Sequence, residues 1–194
     1  MIHLKKGKVD TVAVPNDPEY LALVEDLLSH PKVQEMSLYP QHGVTNCLEH
    51  CVHVSYLSYL FCTKHGLNAR SAARAGLLHD LFLYDWHTYR PQKGERLHGF
   101  EHPRKALEQA AQYFSLCPVE RDCILRHMFP LTLTPPKYKE GFVLMWMDKY
   151  CSLMETLRRP VMARYARQER RLERGIALAE ASRQPLIEPK KRHG

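Results

Sequence analysis

No apolar run in this chain of 194 residues approaches the roughly 20 needed to cross a bilayer, so no membrane role is expected. The opening MIHLKKGKVDTVAVP has two adjacent lysines but lacks the apolar stretch of about 7–15 residues that would follow them in a secretory signal. A cytoplasmic protein is the expectation. Six cysteines are present (Cys47, Cys51, Cys62, Cys117, Cys123 and Cys151), yet none is spaced C-x-x-C. That absence disfavours zinc-finger chemistry, and together with the missing signal it predicts reduced, buried thiols and not a disulfide framework. Period-two alternation is also missing, apart from HLKKGKVDTVAV near the start, so strands are not expected. There is no internal repeat and no low-complexity domain.

Charge is uneven. The net charge of +7 lies entirely beyond residue 157: residues 158–194 hold 11 Lys/Arg against 4 Asp/Glu, leaving 17 of each sign in residues 1–157. A basic appendage of this kind can attract nucleic acid or a phosphorylated ligand, although a solvated helix with a frayed tail is the commoner reading. It lacks the interleaved aromatics of a base-stacking surface.

The remaining pattern is helical. Residues 17–29 put Leu21, Leu23, Val24, Leu27 and Leu28 on one side, and Pro31 ends the segment. Thr45 or Asn46 can cap a helix over about 47–65 that Gly66 closes, and Asn68 can cap the next, through SAARAGLLHDLF. Pro103 and Pro118 suit first-turn positions for helices over about 101–115 and 118–128. An apolar helix follows over 139–157, and a basic one over 160–182. The expected fold is all-α, an irregular bundle of six to eight helices. It divides into an N-terminal extension and helix (1–40), a core (41–157) and a basic helix with its tail (158–194). Residues 85–99 form a long loop rich in Pro, Gly and basic residues, a length that often carries function.

Five places within the core need an explanation. Asp148 is centred in the apolar FVLMWMDKYCSLM, where burying a carboxylate costs several kcal/mol unless it is paired or bound to a cation. His79 and Asp80 interrupt a hydrophobic stretch, and imidazole with carboxylate suits a divalent ion. In NCLEHCVHVSYLSYLF one of His50 and His53 must point inward. His98 and His102 flank a loop–helix junction, with Pro103 leaving His102 at the capping edge. His127 ends a helix before a proline-bearing loop, where it can merely complement the dipole. Singly, each has an ordinary reading, as a core histidine on a carbonyl or a solvated carboxylate.

Their order changes the picture. From about Gln41 to Leu157 the sequence resembles the HD-domain superfamily of metal-dependent phosphohydrolases, through EHCVHVSYLS, ARAGLLHDL and MDKYCSLME. The family pattern E-H-x-x-x-V assigns the first histidine to His50. The resemblance implies that His50, His79, Asp80 and Asp148 ligate one metal. His102 and His127, with GFEHPRKALEQA, are similar to the histidines that hold a second metal in the HD-GYP branch of cyclic-dinucleotide phosphodiesterases. Here LFLYD replaces the Gly-Lys pair after the doublet and no GYP motif follows His127, so that branch's specificity is not implied.

The resemblance and the residue chemistry together predict one or two divalent ions, with the mixed N/O set suiting Fe, Mn, Co, Ni or Zn better than Mg. Asp80 is expected to bridge two ions, and a metal-activated water to cleave a phosphomonoester or phosphodiester, such as a nucleotide. Asp85 is a candidate to move a proton or orient a ligand, or simply to cap its own loop. His98, Arg90, Lys93, Arg96 and Lys149 are candidates to hold substrate charge, and Tyr84 and Trp86 to stack on a base or simply to pack. The expected partner is a phosphorylated small molecule or nucleotide, with a homodimer and nucleic acid on the basic end left open. Alternatives are a non-catalytic nucleotide-binding module and a di-iron oxygenase of the same superfamily.

Overall fold

The computed structural model describes residues 12–157. The helix expected over 160–182, the basic tail and residues 1–11 lie outside the described residues. Six helices run α1 (Pro18–Leu28), α2 (Pro31–Glu35), α3 (Cys47–Lys64), α4 (Ala69–Leu78), α5 (His98–Tyr113) and α6 (Pro118–Arg126). A seventh, α7, covers residues 139–157. Among the described residues there is no strand, and an isolated bridge joins Pro40 to Asn46. The all-α expectation holds.

The helix ends follow from side-chain chemistry. Asp17 caps α1 by accepting from the Tyr20 amide at 3.1 Å. Asn46 opens α3 with a capping box, its side chain taking the Glu49 amide while Glu49 takes the Asn46 amide. Gly66, at φ +64°, closes α3, and the Leu67 amide reaches back to the Cys62 carbonyl at 2.9 Å. Asn68 then caps α4 through the Ser71 amide at 3.0 Å. Two helices that supply site residues are thus joined by four residues.

Three local expectations are corrected. Pro31 does follow α1, but it also opens α2, whose Lys32 amide is taken by the His30 ring. Tyr20 is fully buried while Leu21 and Leu23 are only partly covered, so the inner face of α1 is rotated towards the tyrosine. The helix expected from 101 begins at His98, which places Pro103 inside α5 and His102 in its second turn, not at the capping edge. A proline there removes only the one bond its amide would have made to the Gly99 carbonyl, a cost that early in a helix the packing can carry.

The core gathers around α3 and α4. Ala72, Ala73, Ala75 and Gly76 give α4 a face small enough to lie close against Ser55 of α3. The Ser55 hydroxyl donates to the Ala73 carbonyl at 2.6 Å and accepts from the Tyr20 hydroxyl at 2.9 Å, tying α1, α3 and α4 together. Arg74 adds a second tie. Its guanidinium holds Asp26 of α1 at 2.6 and 2.8 Å and the Leu23 carbonyl at 2.9 Å, with buried Glu120 of α6 at 3.5 Å. Two nearly parallel N–H bonds to one carboxylate fix the helices in register as well as in contact.

Candidate metal centre

Five elements deliver one residue or two each to a single buried cluster. His50 comes from α3, and His79 and Asp80 from the end of α4. His102 comes from α5, His127 caps α6, and Asp148 comes from α7. All six residues expected as ligands meet here, each no more than 8% exposed.

The histidines share an orientation. His79 and His127 each follow the last residue of a helix, and each donates its Nδ1–H to the carbonyl three residues back. His79 reaches Gly76 and His127 reaches Ile124, both at 2.8 Å. His102 donates its Nδ1–H to the carbonyl four residues back, that of His98, at 3.0 Å. His50 places Nδ1 2.9 Å from the Glu155 carboxylate. In every case the Nδ1 proton is held by an acceptor, so the Nε2 atom is the one turned into the cluster. This is the tautomer a metal ligand requires.

Asp80 stands between two groups. Its Oδ2 faces His79 Nε2 at 3.5 Å, and its Oδ1 faces His102 Nε2 at 3.4 Å and His127 Nε2 at 3.7 Å. Asp148 Oδ1 closes the first group, 3.2 Å from His50 Nε2 and 3.8 Å from His79 Nε2. Gln41 anchors the bridge by donating to Asp80 Oδ2 at 2.6 Å. His102 and His127 bring their Nε2 atoms within 2.8 Å of each other, a close approach for two lone pairs unless a proton or a cation lies between them.

The electrostatics match. Burial works to raise the Asp80 carboxyl, but the surrounding histidines, His79 first, outweigh it and bring it to about 2. Asp148 likewise lies well below the usual carboxylate range, because His50 and His79 overcome burial. Burial and the neighbouring His102 and His79 push His127 down to about 3, so it is neutral near pH 7. His79 Nε2 and Asp80 Oδ1 are buried without a hydrogen-bond partner. Orphaned inward donors and acceptors of this kind are costly, and a divalent cation satisfies them. The donor set therefore fits one or two divalent ions, and three overlapping groups can hold them: His50, His79, Asp80; His79, His127, Asp148; and Asp80, His102, His127.

The remaining candidates separate by position. Lys149 reaches the centre's edge, donating to the His127 carbonyl at 3.2 Å, and burial lowers its pKa. His98 lies at the entry of α5, stacked on His102 at 4.6 Å and bonded to the Tyr84 hydroxyl at 3.0 Å. Burial, then His102, holds it at about 4. Trp86 stacks on His98 at 5.5 Å, and Tyr84 on Tyr89 at 5.0 Å. Asp85 is turned to its own loop, accepting from the His87 amide at 2.9 Å. Arg90 and Arg96 are exposed, with contacts to the Tyr89 carbonyl and to Glu101, and Lys93 is exposed on the same loop. The structure does not bring these four to the cluster.

Sequence reasoning missed Glu155, Gln41 and His42. Glu155 follows Asp148 by seven residues, two helical turns on the same face, which is the signal that would have found it. His42, whose ring lies 5.2 Å from that of His50, and Gln41 come from a turn with no periodic signature.

The HD domain family model matches residues 47–153, more than half of the chain. The chain belongs to the HD-domain family, the superfamily of metal-dependent phosphohydrolases. No curated protein matches it, and no solved structure does. Among the described residues, no helix is long and apolar enough to cross a membrane.

Proposed function

We propose that the protein is a phosphohydrolase that cleaves a phosphomonoester or phosphodiester at a binuclear centre. The observation that carries this reading is the split of Asp80, one oxygen towards His79 and the other towards His102 and His127. Bound divalent ions would supply a nucleophilic water near neutral pH and neutralise phosphate oxygens. The chain's own residues do the rest. Four histidines held at Nδ1 keep their Nε2 atoms aimed without reorganisation. Gln41 keeps Asp80 from rotating. Lys149 presents a cation beside His127 to a phosphate oxygen, and neutral His98 offers a hydrogen bond from the opening of α5. Asp85, Arg90 and Arg96 belong to this reading only through closure of their loop on substrate.

Metal content of purified wild type beside Asp80→Ala and His102→Ala tests it, followed by a chromogenic phosphoester screen of the loaded protein. Close to two ions per chain, cut sharply in both variants, with ester hydrolysis, is the expected result. One ion that survives His102→Ala would reduce the centre to a mononuclear one. No ion after reconstitution would overturn the reading.

A further inference from the structure

His50 differs from the other three inward histidines. His79, His102 and His127 rest Nδ1 on backbone carbonyls, whereas His50 rests on a carboxylate, Glu155 Oε2 at 2.9 Å. Glu155 is only 3% exposed, and its other oxygen lies 3.2 Å from Nδ1 of the half-exposed His53. The carboxylate is therefore fixed from both sides. A glutamate carboxylate is ionised at neutral pH, and this one lies between two imidazole nitrogens, with His50 as one of them.

An ionised acceptor binds an N–H about twice as strongly as a neutral carbonyl and pulls the imidazole towards imidazolate, raising the electron density at Nε2. The two halves of the centre are unequal in charge as well. Asp80 and Asp148 face the His50–His79 half, and Glu155 stands behind it. On the other half, among the described residues, Asp80 Oδ1 is the carboxylate oxygen within 4 Å of His102 and His127. A glutamine would satisfy the same Nδ1–H without a buried charge, so fold alone does not require an acid at this position.

We infer that Glu155 is a positioning residue whose charge makes His50 the strongest imidazole donor of the centre, so that the His50–His79–Asp148 half binds its ion first and more tightly. This rests on the metal-binding reading above. The test is titration of Co2+ into the metal-stripped full-length protein, for wild type, Glu155→Gln, Glu155→Ala and His102→Ala, with a melting curve for each.

Wild type should fill in two steps. Glu155→Gln, which keeps the shape and removes the charge, should weaken the tighter step by about 10–100-fold and leave the weaker one in place. It should also move the paramagnetically shifted Nδ1–H resonance of His50 in the Co2+ protein. His102→Ala should remove the weaker step alone. Glu155→Gln binding like wild type while Glu155→Ala is weakened would overturn the role of charge. Loss of the tighter step in His102→Ala would overturn the order of filling. Absence of binding in wild type would overturn the functional reading itself and this inference with it.

Discussion

Gly76 of α4 passes so close to Ser55 of α3 that a Cβ built on it would lie 2.6 Å from the Ser55 Cα. The obstacle is backbone, so no side-chain rotation relieves it, and the same Gly76 carbonyl holds His79 Nδ1. Gly76→Ala should destabilise the protein by about 1–3 kcal/mol in spite of alanine's better helix propensity. Urea unfolding of metal-free protein measures this. Stability equal to wild type would show that the two helices can part without loss.

Arg74 and its two acids give an asymmetric pair of variants. Glu120 is 1% exposed and Asp26 lies largely at the surface. Arg74→Met leaves the buried Glu120 carboxylate with the Cys117 amide at 2.9 Å and the exposed Arg70 at 3.8 Å, and should cost about 3 kcal/mol, the low end for breaking a buried pair. Asp26→Asn leaves Arg74 with Glu120 and the Leu23 carbonyl, and its effect should be clearly smaller. Equal losses would mean that the exposed arm of the network does most of the work.

Acidity should act on the metal-free protein from both sides. Burial lowers the pKa of His50, but Asp148 and Glu155 outweigh it and raise it well above 6.5. His79 is raised likewise, by Asp80 and Asp148 against burial. Their stabilisation is complete below pH 6.5 and is lost as the pH rises through the folded values. His102 and His127 are lowered, His127 to about 3, so their contribution is present above pH 6.5 and fades below it. A bound ion needs all four unprotonated at Nε2, so the rise in melting temperature on adding Co2+ should grow as the pH increases from 6.5. A gain that is flat with pH would contradict the protonation pattern.

Lys149 has two readings that activity separates. As a phosphate ligand, its replacement by Met should lower kcat/KM on a chromogenic phosphoester by about 10²–10³ with metal content unchanged. As a cap on the end of α6 through the His127 carbonyl, the change should alter the melting temperature slightly and leave kcat/KM intact.

The candidate ligands were legible through their order along the chain, which carries the resemblance; singly, only Asp148 and the His79–Asp80 pair stand out as polar residues in apolar stretches. Asp148 between Met147 and Lys149, and His79–Asp80 between Leu78 and Leu81, demand a partner wherever the chain folds. The caps at Asn46 and Asn68 and the Gly66 stop were legible for a local reason: each acts on a backbone group within a few residues. Gln41 was not, since its meaning depends on Asp80, 39 positions away, and Glu155 offered only its seven-residue spacing from Asp148, its partner His50 lying 105 positions away. Pro103 misled because a first-turn preference is statistical, and the packing of α5 overrode it.

His50 and Asp148, whose side chains meet at 3.2 Å, are 98 positions apart along the chain. An ion gripping both would join the third helix to the last described one and close nearly all of the core into a single ring. Loading would then act on the unfolded chain as a staple does, by limiting how far its ends can wander, provided the grip outlasts unfolding. Where the grip does not outlast it, parting α7 from α3 would withdraw Asp148 and leave the ion to His50, His79 and Asp80.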